Sequence, residues 1–84
     1  MSIKVLYFAS LRETLGYSHE TLTLPANIAT LGDLRDHLAR RGGVWEALEE
    51  GRNVRAAINQ NMAGPEAAVA DRDEVAFFPP VTGG

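Results

Sequence analysis

The stretch IKVLYFASLRETLGYSHETLTLPANIATLGDLRDHLARRGG, Ile3 to Gly43, decides the fold. Its opening run, Ile3 to Phe8, is β-branched and aromatic, and both alternating faces, Ile3/Val5/Tyr7 and Lys4/Leu6/Phe8, are mainly apolar. That pattern predicts a central strand covered on both sides or nearly so. The segment ASLRETLGY follows and ends at Gly16, with Leu11 and Leu15 four residues apart on one face, which predicts a short helix. His19 to Leu24 alternates, with Glu20/Leu22/Leu24 on one side and His19/Thr21/Thr23 on the other, until Pro25 removes the next backbone donor. This reads as a half-buried strand. Thr30 and Asp33 then make a capping box with a shorter acid, and Leu31, Leu34 and Leu38 fall on one face of a helix expected from Leu31 to Arg41. Arg40 and Arg41 complement the negative end of its dipole, and Gly42-Gly43 can take the left-handed cap conformation.

Beyond this stretch, VWEALEEG adds a helical turn before Gly51, and Val54 to Asn59 reads as a third strand. NQNMAGPE reads as a turn, Ala67 to Ala70 as a short edge strand, ADRDE as a polar turn and Val75 to Phe78 as a last buried strand. In VAFF the adjacent Phe77 and Phe78 must face opposite sides, so one can be core while the other is exposed. A hairpin, one main helix and then further strands give an α+β domain with a mixed sheet packed on that helix. This is the element order of a β-grasp, with a body over 1–80 and an extended tail over 81–84.

Length and composition exclude several classes. With 84 residues there is room for a single domain, which hides only roughly 60% of its unfolded surface. A deep substrate cavity would take core it needs, so a self-contained enzyme is not expected. Eight Lys+Arg against eleven Asp+Glu give a net charge of -3 with the basic residues scattered, so no nucleic-acid partner is expected. No run approaches about 18 uncharged apolar residues, and Arg12 and Glu13 interrupt what a signal peptide would need, which predicts a cytoplasmic protein with no membrane partner. The lack of cysteine removes disulfides, thiolate nucleophiles and Cys-based metal sites together.

The titratable inventory is equally spare. His19 and His37 have no ligand partner at helical spacing and read as surface histidines, with no metal site expected. Asp33/Asp36 and Glu49/Glu50 are explained by exposed helix faces and ends, and the Gly-rich tract at Arg41 to Gly43 by a helix cap.

The C-terminus differs. Pro79-Pro80 stops the last strand and favours a stiff, extended exit, so Val81, Thr82, Gly83 and Gly84 are expected to project from the body. From Pro79 to Gly84 the chain can span at most about 20 Å, enough to reach a buried site in another protein. Two terminal residues without Cβ can enter a channel that any side chain would block, and they leave the Gly84 carboxylate sterically open. A carboxylate is a poor electrophile, so chemistry there requires activation by a nucleotide. An acyl-adenylate formed with ATP would supply the leaving group, and a sulfur nucleophile would then leave a thiocarboxylate.

DEVAFFPPVTGG, Asp73 to Gly84, together with IKVLYFASLRE near the start and Ala56 to Gln60 (AAINQ), resembles the family of sulfur-carrier subunits of molybdopterin synthase over essentially the whole chain. The resemblance implies a cycle in molybdenum cofactor biosynthesis. An E1-like adenylyltransferase converts the Gly84 carboxylate to a transient glycyl-adenylate carrying ATP-derived AMP, and a sulfur-transfer protein replaces AMP with sulfur. No cofactor is bound permanently. The tail then enters the large synthase subunit, where sulfur moves to cyclic pyranopterin monophosphate to build the molybdopterin dithiolene. The implied assembly is a heterotetramer whose catalytic side chains belong to the large subunit, leaving Gly84 as the one chemical position here.

Docking next to the tail root is expected to use Phe78, Pro79 and Pro80, with Phe8 and Met62 as neighbours and Arg12 at the rim. The competing assignment for Phe8 and Phe78 is ordinary core. Two rival functions share the tail: a sulfur carrier for thiamine thiazole or another thiolation pathway, and a ubiquitin-like modifier conjugated to lysines. The single lysine, Lys4, makes self-chains hard to build.

Overall fold

The computed structural model describes residues 1–48 and 54–80. Along the chain it forms β1 (Ser2–Tyr7), α1 (Ala9–Leu15), β2 (His19–Thr23), α2 (Leu31–Ala39), a 3-10 helix (Gly43–Leu48), β3 (Arg55–Ile58), β4 (Asn61–Met62) and β5 (Glu74–Phe78). The strands make one five-stranded sheet in the order β2-β1-β5-β3-β4. β1 and β5 run parallel and every other pair is antiparallel. The first and last strands of the body therefore lie side by side at its middle, the expected β-grasp arrangement.

Alternation along the strands selects the core. Ile3, Val5, Tyr7, Val75 and Phe77 point to one face and are buried, and Leu34, Leu38 and Leu48 from the helical segments close over them. Leu11 and Leu15 of α1 join the same cluster, with Gly16 at φ 79° ending that helix in a left-handed cap. Each large side chain buried here contributes roughly 1.5–3 kcal/mol. Among the described residues every helical segment packs into this one cluster, and none covers the opposite face of β1. Lys4 is exposed and Leu6 half-buried there, so the expected cover on both sides of this strand is not found.

The capping box forms as expected: Thr30 Oγ1 accepts from the Asp33 N–H at 3.1 Å, and the Asp33 carboxylate accepts from the Thr30 N–H at 3.1 Å. α2 stops at Ala39, short of Arg41, because the chain tightens through Arg41 N–H to Leu38 and Gly42 N–H to Ala39 bonds before Gly42 turns at φ 78°.

Two further expectations change. The segment read as a turn, NQNMAGPE, contains β4. Asn59 and Gln60 both take positive φ, 49° and 70°, the geometry of a two-residue hairpin turn that pairs Ile58 with Asn61. Ala67 to Ala70 forms no strand, only an isolated bridge between Ala68 and Thr30. Its potential partner becomes α2 at Leu31, so the pairing ends after the Val69 N–H to Ala29 and Leu31 N–H to Ala67 bonds.

A polar clamp joins β2 to the end of α2. Fully buried Tyr7 donates its hydroxyl to Glu20 Oε2 at 2.8 Å, and Arg41 grips the same carboxylate through both terminal nitrogens at 2.9 and 3.1 Å. The Arg41 guanidinium also lies 4.4 Å from the centre of the Trp45 ring. Arg41 therefore leaves the helix to hold the hairpin, a role beyond the dipole reading, while Arg40 pairs with Asp36 at the surface. Burial alone would raise the Glu20 pKa, but hydrogen bonds from Arg41 and Tyr7 outweigh it and hold the carboxyl below its ordinary value. Burial and the same Glu20 contact raise the Tyr7 pKa, so the phenol remains the donor.

Since folding lowers the Glu20 pKa, the clamp's contribution is complete above the ordinary value of 4.5 and is lost as pH falls through the folded value. Denaturant midpoints measured between about pH 3 and 7 are expected to fall on the acid side, and Glu20→Gln to flatten that slope. Glu20→Ala, which strands the Tyr7 hydroxyl and Arg41 together, is expected to cost about 2 kcal/mol. Tyr7→Phe, which leaves the Arg41 pair intact, costs about 1 kcal/mol.

Candidate functional site

The face without helices carries the site. Residues paired across neighbouring strands point to the same side of a sheet, so the register reads out this surface directly. One row crosses the sheet as Leu6, Ala76, Ala57 and Met62. The next holds Phe8, Phe78 and Arg55: Phe78 is the register partner of Arg55, and Phe8 extends the parallel ladder by donating its N–H to the Phe77 carbonyl at 3.1 Å. Phe8 keeps an extended backbone at φ -118° and ψ 156°, and the chain turns into α1 only at Ala9, a left-handed residue at φ 52°. A left-handed alanine costs roughly 1–2 kcal/mol. Here that conformation lets Phe8 finish the strand before the helix begins.

Phe8 is 46% and Met62 64% exposed, large values for side chains of this size and polarity. Phe78 is half-buried while Phe77 is fully buried, which separates their roles as the alternation required. The structure thus brings Phe8, Met62 and Phe78 onto one side of the sheet at the end from which the tail leaves. Arg12 is exposed one helical turn after Phe8, with its N–H bonded to the Phe8 carbonyl at 3.4 Å. Pro79 and Pro80 follow β5 directly and are half-buried. Val81, Thr82, Gly83 and Gly84 lie outside the described residues. Because β5 is the middle strand, the root of the tail is held by β1 on one side and β3 on the other.

This arrangement suits binding. Its side chains are apolar with a charged margin in which Lys4 faces Glu74 across β1 and β5, and Arg55 sits at the tail-root corner. Among the described residues, no group of three His, Cys, Asp or Glu could hold a metal, and no helix is long and apolar enough to cross a membrane. His19 lies on β2 with Nδ1 3.1 Å from Ser18 Oγ, and His37 lies on α2, so the two histidines are on separate elements. Sequence reasoning missed Leu6, Ala57, Ala76 and Arg55 as members of the face. Alternation within IKVLYF and VAFF carried the signal for Leu6 and Ala76, whereas Ala57 and Arg55 needed the β3–β5 register.

The fold and face define a ubiquitin-like β-grasp protein with a partly exposed apolar face beside the end of β5. Residues 5–84 match the ThiS family. The chain is 46% identical over 83 residues to the molybdopterin synthase sulfur carrier subunit of Haemophilus influenzae, covering 98% of this chain and 99% of that one. The Escherichia coli sulfur carrier subunit is 45% identical over 83 residues, with the same coverage of 98% and 99%. Among solved structures, SAMP1 of Haloferax volcanii superposes with a TM-score of 0.76 at 31% identity over 100% of both chains. The chain belongs to the ThiS family and, within it, groups with the sulfur carrier subunits of molybdopterin synthase.

Proposed function

We infer that this chain carries sulfur for molybdopterin synthesis on the carboxyl group of Gly84. The observation that supports this most is the likeness to the curated sulfur carrier subunits, which extends over 99% of their length. In the reading, a Gly84 carboxylate oxygen attacks the α-phosphorus of ATP on an E1-like adenylyltransferase and pyrophosphate leaves. A persulfide-type sulfur on a transfer protein then attacks the acyl carbon and AMP leaves; a second thiol reduces the resulting acyl disulfide, releasing the thiocarboxylate and leaving a disulfide between the two thiols. The large synthase subunit accepts the tail and passes the sulfur to cyclic pyranopterin monophosphate, with small subunits at both ends of a large-subunit dimer.

The face at the tail root supports this sequence of encounters. The adenylyltransferase and the large subunit must each hold the same tail and release it, and a moderate apolar patch that includes Phe8, Met62 and Phe78 gives binding without permanence. The direct experiment is the intact mass after incubation with the adenylyltransferase, ATP and a sulfur donor, beside a control without ATP. The expected result is a gain equal to exchange of one oxygen for sulfur, localised to Gly84 and absent without ATP. An unchanged mass with an enzyme active on another carrier would refute the reading.

A second reading, a conjugating modifier, is favoured by the likeness to SAMP1, a small archaeal modifier protein. It uses the same activated carboxyl but with a lysine amine as the nucleophile. In the mass experiment it would appear as an amide-linked adduct with a target protein in place of the sulfur gain.

A further inference from the structure

Arg55 has no part in the cycle above, yet it occupies a corner of the same face. It stands opposite Phe78 in the register and two residues before Ala57, so its side chain leaves the sheet beside the apolar rows at the root of the tail. It is exposed, and among the described residues no carboxylate lies within ion-pair distance of its guanidinium. Other cations differ in place or partner: Arg41 is held by Glu20, Arg40 by Asp36, Lys4 lies across from Glu74, and the exposed Arg12 and Arg72 stand on α1 and in the turn before β5, away from the β3 side of the face. Arg55 also lines a cleft of about 380 Å³ between α2 and the β3–β4 edge, whose walls include Leu31, Met62 and Pro65. Met62 belongs both to the wall of this cleft and to the apolar row.

We propose that Arg55 is the polar anchor of docking: the large subunit that receives the tail presents a carboxylate at this corner, and the guanidinium pairs with it as the apolar rows are covered. This rests on the docking reading given above and names the chemistry of the partner's contact. Covering Phe78 and Met62 strips water from the cation between them, and a desolvated guanidinium without a partner is strongly unfavourable. A partner surface that is merely apolar is therefore rejected, whereas one with an acid beside its apolar patch gains a planar, bidentate pair.

The test measures the dissociation constant of the full-length chain for the large synthase subunit at about 50 and 300 mM salt. Wild type, Arg55→Ala, Arg55→Lys, Arg55→Glu and Met62→Ala are compared, with melting curves to establish that each is folded. Arg55→Ala is expected to weaken binding about tenfold or more and to flatten its salt dependence. Arg55→Glu weakens it further and Arg55→Lys retains part of it. Met62→Ala weakens binding while keeping the wild-type salt dependence, a separation that loss of apolar contact alone would not give for Arg55. If Arg55→Ala binds within about twofold of wild type with an unchanged salt dependence, the anchor is wrong although the docking reading stands. Failure of the wild type to bind overturns both.

Discussion

Removal of Gly83 and Gly84 is expected to abolish sulfur loading and molybdopterin formation entirely, with no measurable loss of thermal stability. Every buried side chain among the described residues lies between Ile3 and Phe77, so the shortened chain keeps its whole core. The open face also persists, since Phe8, Met62 and Phe78 are outside the deletion. The loss therefore falls on chemistry and leaves binding through the face in place. A more exacting version adds one alanine after Gly84. That insertion leaves an equally free carboxylate but moves it by up to about 3.5 Å, and a misplacement of about 1 Å at a reacting centre already costs roughly 100-fold. Loading and transfer by the extended chain should fall by at least that factor in single-turnover assays with purified partners. Full activity of either variant would show that the reacting group is elsewhere.

The second large effect separates two neighbouring residues. Phe77→Ala is expected to cost about 3–5 kcal/mol, through loss of a large side chain at 0% exposure that stacks on Tyr7 with ring centres 6.2 Å apart. A domain of this size has a total stability of about 5–10 kcal/mol, so this variant should be largely or wholly unfolded near its functional temperature. Phe78→Ala, one residue on, is expected to change stability by less than about 1 kcal/mol, because its side chain lies on the face without helices. Its effect should appear as weakened association with the large subunit. Urea unfolding gives the first comparison and calorimetric titration the second. Equal destabilisation by the two substitutions would mean that the sheet has no open face at this position.

These contrasts also show what could be read without coordinates. The capping box at Thr30 and Asp33, the glycine stops at Gly16 and Gly42 and the opposed phenylalanines in VAFF are local features. Each follows from the conformational preference of a few adjacent residues and each appears in the structure, although α2 itself ends at Ala39 and not at the expected Arg41. The reading of the tail rests on backbone restriction at Pro79-Pro80 and absent side chains at Gly83-Gly84, and of these the described residues include only the two prolines.

Other features depended on pairing between distant segments. Within IKVLYF only Lys4 hints at which face stays open, since both faces are otherwise apolar; packing of the helical segments into one cluster made the choice. Ala67 to Ala70 had the composition of a strand but lost its partner when the chain turned into α2. Arg41 looked like a dipole-complementing cation until β2 brought Glu20 beside it. Arg55 acquired meaning only when the register set it opposite Phe78.

By itself, then, the sequence determined most of the secondary elements and the cap at Thr30 and Asp33, because these arise from interactions within a few residues. The open face, the clamp and the corner at Arg55 were decided by the tertiary structure, because each requires side chains from separate strands or helices to meet, and only the closed sheet brings them together.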